Sequence, residues 1–266
     1  MSQFVTALKS YGQHFLNDKI VLQQILDSIK FYHNNEKVIE IGPGMGALTT
    51  YLIKDFPELT CVEVDRRCVE YLNTNFKSQH ANFNIIEADF LKLDLKELIK
   101  EPTAIVGNFP YNISSQIVFS IIDNYTTIPF MVGMFQKEMG HRIASKHGSK
   151  EYGVISVLTQ IYYDVKVEFD ISPSSFSPPP KVMSSVISLK RKENLEIDFD
   201  VDLFKKIVKA GFNQRRKMLR NGLSGMLDKE FLQQDLFSKR AEQLSVQDFI
   251  DLTKMASNEL KNNHQF

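Results

Sequence analysis

Apolar residues at Val21, Leu22, Ile25, Leu26 and Ile29 recur at the spacing of one helical face and predict a helix over Ile20–Ile29. The pattern then changes. Short apolar runs rich in β-branched residues occupy Val38–Ile41, Leu59–Val64, Asn84–Ile86, Ala104–Val106 and Phe130–Met134. Most are followed by a helical run such as Cys68–Phe76 or Ser115–Ile122. Strands alternating with helices predict right-handed βαβ crossovers and a largely parallel sheet. Val154–Tyr163 reads as another helix. Val165–Ile171 and Val182–Leu189 read as a closing pair of strands joined through the proline-rich Ser172–Pro180. The stretch Arg191–Asp200 is charged and without clear pattern, whereas Val201–Phe212, Lys229–Leu236 and Val246–Leu260 are helical in period. The expected organisation is an α/β domain over residues 1–192 and a small all-helical domain over residues 193–266, with no internal repeats.

Composition narrows the class. The 266 residues are 43% hydrophobic and 24% charged, with 12 Gly and 9 Pro, which excludes a disordered, collagen-like or low-complexity chain. No apolar run approaches the ~18 residues of a membrane helix. Met1–Phe15 lacks the basic-then-apolar pattern of a signal peptide, so a cytoplasmic protein is expected. Cys61 and Cys68 make no disulfide framework, and no Cys/His cluster has zinc spacing, so no metal is expected. The 32 basic and 32 acidic residues cancel, which excludes a uniformly basic nucleic-acid coat but leaves local patches open. Between Val201 and Asn221, Lys205, Lys206, Lys209, Arg215, Arg216, Lys217 and Arg220 face one acid, Asp202, for a local charge of +6. A second patch holds Lys137, Arg142, Lys146 and Lys150 with His141 and His147. Such charge suits an RNA backbone, although a solvated helix face has the same look. Arg215, Arg216 and Lys217 are consecutive and cannot share one helical face; a buried one needs an acidic partner.

The first of the five strand runs leads into Glu40-Ile41-Gly42-Pro43-Gly44-Met45-Gly46-Ala47-Leu48 and then a helix. Closely spaced glycines let backbone turn tightly and approach a ligand at a helix amino terminus. Glu63 ends the second strand, 21 residues after Gly42, where an acid commonly takes ribose hydroxyls, and Asp89 follows the third. The trio predicts a nucleoside-bearing cofactor across the carboxyl ends of the strands. Alone the loop is weak evidence, since Gly42, Gly44 and Ala47 also satisfy a loose dinucleotide pattern, and both acids suit solvated strand ends.

Asn108-Phe109-Pro110-Tyr111 at the end of the fourth strand is more telling. The lone pair of adenine N6 is delocalised into its ring, which makes the nitrogen a poor nucleophile. Two acceptors aimed at the amino protons, the Asn108 side-chain carbonyl and the Phe109 backbone carbonyl, favour a tetrahedral nitrogen, and Pro110 stiffens the turn. Tyr111 offers a face for an extruded base, worth ~1–3 kcal/mol. S-adenosylmethionine supplies the methyl group and its leaving group. The competing reading is an Asn-capped turn with Tyr111 as packing.

Over nearly its whole length the sequence resembles the bacterial small-subunit ribosomal RNA adenine dimethyltransferases, relatives of the erythromycin-resistance methyltransferases. The matching stretches are Gly12-Gln13-His14-Phe15-Leu16, Glu40 to Thr49, Val62 to Asp65, Asn108 to Ser114, Gln136 to Glu138, Phe176 to Val182 and Phe212 to Lys217. The resemblance implies a Rossmann-like S-adenosylmethionine-dependent methyltransferase sheet with helices on both faces, and a helical carboxyl-terminal domain that docks on RNA. It implies four methyl transfers to two adjacent adenosines in the 3′-terminal hairpin of 16S RNA, within an immature 30S subunit, by a monomer. It places His14 and Leu16 against the cofactor, Gly42 on its methionine side, Glu63 on the ribose, Asp89 on the adenine amino group and Asn108 beside the methyl. His14 stands where the family often has Asn, and Phe109 replaces its usual Leu. Phe176 is either a second aromatic wall around the base or a core residue anchoring Pro178–Pro180. The alternatives are a dominant non-catalytic role in subunit assembly, or an erythromycin-resistance type enzyme acting on 23S RNA.

Overall fold

In a computed structural model that describes residues 14–263, the chain opens with a two-residue strand β1 (Phe15–Leu16) and helix α1 (Lys19–Tyr32). Gly12 and Gln13 lie outside the described residues. Asp18 caps α1, accepting from the Ile20 and Val21 amides, while its other oxygen accepts from Ser175 Oγ at 2.9 Å. The predicted stripe is real: Leu22, Ile25, Leu26 and Ile29 are buried, in one apolar cluster with Val38, Ala104, Val106, Phe130 and Val132. Then follow β2 (Lys37–Ile41), α2 (Thr49–Asp55), β3 (Thr60–Glu63), α3 (Arg66–Leu72), β4 (Asn84–Glu87), α4 (Leu95–Leu98), β5 (Thr103–Asn108), α5 (Ser114–Asp123), β6 (Phe130–Gln136) and α6 (Lys137–Ala144). After them come α7 (Val154–Gln160), β7 (Tyr163–Ile171), β8 (Phe176–Ser177) and β9 (Ser184–Arg191).

Seven strands form one sheet in the order β4-β3-β2-β5-β6-β9-β7. The first five are mutually parallel, and β9 runs antiparallel between β6 and β7. Chain order reverses between β2 and β5, whose register pairs Glu40 with Val106. Ligands of such sheets bind outside the carboxyl ends of the strands at this switch point. The glycine loop leaves β2 there and the Asn108–Tyr111 turn leaves β5, so topology alone sets the two candidate motifs side by side. A separate two-stranded pairing, β1 with β8, matches Leu16 to Phe176 and escaped the sequence reading because both strands are two residues long.

The chain divides into two compact units. One contains the described residues through His141 together with Tyr163–Arg191; the other contains Arg142–Tyr162 and everything from Lys192 onward. The expected division after residue 192 therefore misplaces Arg142–Tyr162. Polar ties join this segment to the rest of the second unit: Lys192 Nζ donates to the Gln160 carbonyl, the Gly148 amide to the Glu242 carbonyl, and Arg215 Nη2 to the Lys150 and Tyr152 carbonyls. The predicted helix through Tyr163 stops at Gln160, because the alternating Tyr163–Ile171 run is claimed by the sheet. The second unit is built on α8 (Val201–Asn213), α9 (Leu219–Leu223) and α10 (Val246–Asn263). The helix expected over Lys229–Leu236 is instead two 3₁₀ turns, Phe231–Gln233 and Asp235–Ser238, broken by an extended Gln234. Eight residues burying little more than Leu232 cannot offset the cost of helix nucleation.

Candidate active site

A cavity of about 650 Å³, measured out to its open mouth, lies at the switch point. Its apolar wall includes Leu16, Leu22, Ile25, Ala47 and Leu48; its polar groups are Glu40, Glu63, Asn108 and His14, with Gly42 and Gly44 between. The glycines are required by space as well as by conformation. Gly42 and Gly44 have φ of +66° and +56°, and a Cβ on Gly44 would sit 2.9 Å from the Phe15 ring. Glu63 is only 5% exposed, which removes the solvated strand-end reading. One carboxylate oxygen accepts from the Gly44 amide at 3.0 Å and the other from the Val64 and Asp65 amides at 2.9 and 2.8 Å. Burial pushes its pKa up while these three donors pull the other way. Glu63 thereby holds the glycine loop onto β3. Leu16 and His14 are placed at the cavity as expected; Asp89 is not among its lining residues. Asp89 follows β4, whose Glu87 pairs with Glu63, and accepts from the Leu91 amide as cap of a 3₁₀ turn, with Lys92 Nζ 3.6 Å away.

Glu40 escaped the sequence reading. It is 1% exposed in the middle of the sheet, accepting from Thr49 Oγ1 at 2.7 Å and Cys61 Sγ at 3.5 Å. Burial, the largest influence, raises its pKa to about 7, and the charge of Glu63 adds to this. A signal was available: a strand flanked by parallel neighbours on both sides should be apolar throughout, so an acid inside Val38–Ile41 asks for a reason.

The Asn108–Tyr111 turn is fixed by contacts that spacing could not reveal. Asn108 Nδ2 donates to the His14 carbonyl at 3.0 Å. A carbonyl only accepts, so the amide orientation is determined, and Oδ1 is left free of this bond. Phe109 is fully buried, edge-on to Phe135, and a Cβ on Gly133 would lie 2.2 Å from its ring. Its side chain is thus committed to the core, and only its backbone is available to chemistry. Pro110 packs 3.6 Å from where a Cβ of Gly42 would stand. Tyr111 shares a 2.6 Å hydrogen bond with buried Ser184, and its ring stacks on His14 with centroids 5.7 Å apart. His14 Nδ1 in turn donates to the Pro178 carbonyl at 2.8 Å. Phe176 is 3% exposed within the cluster containing Leu16 and Leu22. As it stands its ring serves the core, and contact with a base requires it to be uncovered.

With this geometry in hand, the likenesses to known proteins are informative. The family model described as ribosomal RNA adenine dimethylase matches residues 5–258. The chain belongs to the ribosomal RNA adenine dimethylase family. It is 48% identical to the ribosomal RNA small subunit methyltransferase A of Cytophaga hutchinsonii, over 95% of this chain and 98% of that protein. It is 47% identical to the protein of the same name from Bacteroides fragilis, over 97% and 95% of the two chains. Its fold is shared with a crystal structure of a dimethyladenosine transferase from Plasmodium falciparum, at TM-score 0.79, 23% identity and coverage of 92% and 98%. The 23S rRNA methyltransferase ErmE has the same fold at TM-score 0.69, 22% identity and coverage of 90% and 99%. In this dimethylase family member the Rossmann-like sheet, with its helices and the helical carboxyl-terminal region, accords with the predicted fold class.

The cations expected to bind RNA divide into two groups in the dimethylase structure. Lys206, Lys209, Arg216 and Lys217 are exposed and have no side-chain partner among the described residues. Arg220 donates to the Phe237 carbonyl at 3.4 Å, and half-buried Lys205 is likewise engaged. Arg215 Nη2 donates to the Lys150 carbonyl and, at 2.9 Å, to the Tyr152 carbonyl, while Nε lies 3.7 Å from Glu242. It is the member of the consecutive trio held by neighbouring groups, although its side chain stays 43% exposed. In the second patch Lys137 and His141 converge on Asp170 at 2.6 and 3.1 Å. Burial opposes ionisation of Asp170, yet Lys137, Ser185 and His141 outweigh it and hold the pKa at about 2. Lys146 and Lys150 remain exposed. No helix among the described residues is long and apolar enough to cross a membrane, and no group of three or more His, Cys, Asp or Glu among them is placed to hold a metal ion.

Proposed function

We propose that this dimethylase uses S-adenosylmethionine to methylate N6 of two adjacent adenosines in the 3′-terminal hairpin of 16S ribosomal RNA, acting as a cytoplasmic monomer on immature small subunits. The observation that carries the reading is the Asn108 amide, oriented by the His14 carbonyl beside a cavity bounded by the glycine loop and Glu63. The cavity suits the cofactor. Its apolar wall is bracketed by acceptors, and Gly44 keeps clear the space that a Cβ would crowd against Phe15. Leu16, His14, Gly42, Glu63 and Asn108 would hold the cofactor, with Asp89 beyond β4 reaching its adenine amino group. The bound cofactor supplies an electrophilic methyl group on a sulfonium. The protein's own part is orientation: Asn108 Oδ1 and the Phe109 carbonyl accept from the amino group, and its nitrogen sheds a proton to water after transfer. Tyr111, tethered by Ser184, carries the stacking face, and Phe176 is assigned to packing. Lys206, Lys209, Arg216 and Lys217 contact the RNA backbone.

Labelled-methyl transfer to under-methylated small subunits, followed by nucleoside digestion, tests the proposal. Label in N6,N6-dimethyladenosine of 16S RNA is the expected result. Label only in large-subunit RNA redirects the activity to 23S RNA, and subunit binding without any label makes the assembly role dominant.

A further inference from the structure

Arg215, Arg216 and Lys217 look equivalent in sequence, yet Arg215, though 43% exposed, is held by three neighbouring groups. Its Nη2 takes two carbonyls of one loop, Lys150 and Tyr152, and its Nε faces a Glu242 oxygen that is buried and has no hydrogen-bond partner. The carboxylate 3.7 Å away offsets part of the charge that would attract a phosphate. The same Glu242 also holds the loop through its backbone, accepting from the Gly148 amide at 2.7 Å. The Tyr152 ring packs edge-on against Phe212, at the end of α8. All of these groups belong to the second unit. The loop they fasten carries Lys150, exposed and without a side-chain partner among the described residues, as are Arg216 and Lys217.

We infer that Arg215 is a positioning residue: it clamps the 148–152 loop to the end of α8, so that Lys150 joins Arg216 and Lys217 in one surface for the phosphodiester backbone of the RNA substrate. The inference rests on the RNA-docking reading above and changes its content. Lys150, 65 residues before Arg215 in sequence, joins the surface of the basic trio, and a residue of that trio leaves the list of phosphate contacts. A planar guanidinium suits the task, because it can donate to two carbonyls with one nitrogen while turning another to a carboxylate.

The test is a double-mutant cycle read as salt dependence of binding to under-methylated small subunits. Lys150→Ala should lower the log–log slope by about 0.7–0.9, the loss of one phosphate contact. Arg215→Ala should lower it by the same amount, and the double variant by no more than either, because Lys150 counts only while clamped. Amide exchange at Gly148 should quicken in free Arg215→Ala. Additive slope losses would make Arg215 a phosphate contact in its own right and overturn the clamp, as would unchanged exchange at Gly148. If Arg215→Ala does not fold, Glu242→Gln, which leaves the basic trio intact, takes its place in the cycle under the same criteria. Arg216→Ala with Lys217→Ala is the control on the docking reading. Slopes unchanged there and in Lys150→Ala would remove that reading and the clamp with it.

Discussion

Replacing Glu40 by Gln should make the cofactor-free protein more stable at neutral pH and leave it nearly unchanged at acidic pH. Folding raises the Glu40 pKa from 4.5 to about 7, chiefly by burial. Below pH 4.5 the group is protonated in both states and contributes nothing. As pH rises from 4.5 to 7 the unfolded chain gives up this proton while the folded one keeps it, so stability falls through that window, and above pH 7 the full cost is present. A shift of this size corresponds to about 3 kcal/mol. Gln keeps an acceptor for Thr49 Oγ1 and Cys61 Sγ but cannot ionise, so its advantage should grow from pH 4.5 and level off near pH 7. Urea unfolding of both proteins at pH 4.5–8 measures the difference directly. The low-pH contribution of Asp170, held to about 2, lies below the window and is common to both. Glu63, the other raised carboxyl at this cavity, gains from loss of the neighbouring charge, which adds in the same direction. A difference that is flat with pH, or that shrinks as pH rises, would refute the reasoning.

Asn108→Ala should slow single-turnover methyl transfer by roughly 10²–10³, the cost of one lost transition-state contact, with subunit binding retained; a normal rate would exclude the acceptor role. Gly133→Ala should cost about 1–3 kcal/mol by overpacking. Because the intruding Cβ meets the Phe109 ring, Phe109→Leu should recover part of that loss in thermal unfolding. Glu63→Ala should weaken S-adenosylmethionine binding by ~1.5–3 kcal/mol in calorimetry. Asp89→Ala separates two roles for that carboxylate: weakened binding supports contact with the cofactor, whereas unchanged affinity leaves it only as the cap of its turn.

The sheet was legible because its signal is local. Each βα unit announces itself by an apolar run followed by helical spacing, and the connection rules fix the direction of the strands that follow. Even the position of the cavity follows from topology, since Gly42 and Asn108 each continue a strand bordering the switch point. The losses came where an element is too short to carry a period, as in the pairing of Phe15–Leu16 with Phe176–Ser177, or where periodicity lacked enough burial, as in Lys229–Leu236. The segment Arg142–Tyr162 was misassigned for a different reason. What attaches it to the second unit is a set of side-chain bonds to carbonyls, and carbonyls leave no mark in a sequence.

The same distinction runs through the site. Residue types whose chemistry acts through the backbone or through conformation, such as Gly42, Gly44 and Pro110, could be read where they stand. Residues whose role depends on a distant partner could not. Asn108 presents its Oδ1 as an acceptor only because the His14 carbonyl, 94 positions earlier, takes the other end of its amide. Phe109 leaves its backbone free only because Gly133 makes room for its ring. The trio Arg215, Arg216 and Lys217 lies beyond the end of α8, in a turn and not on a helical face, and all three side chains are exposed. What sets Arg215 apart is its neighbours, the Lys150 and Tyr152 carbonyls and Glu242, which lies on a short 3₁₀ turn that no periodicity announces. Counting cations therefore overstates the charge available to RNA in α8 and just beyond it, and understates it in the loop that Arg215 holds.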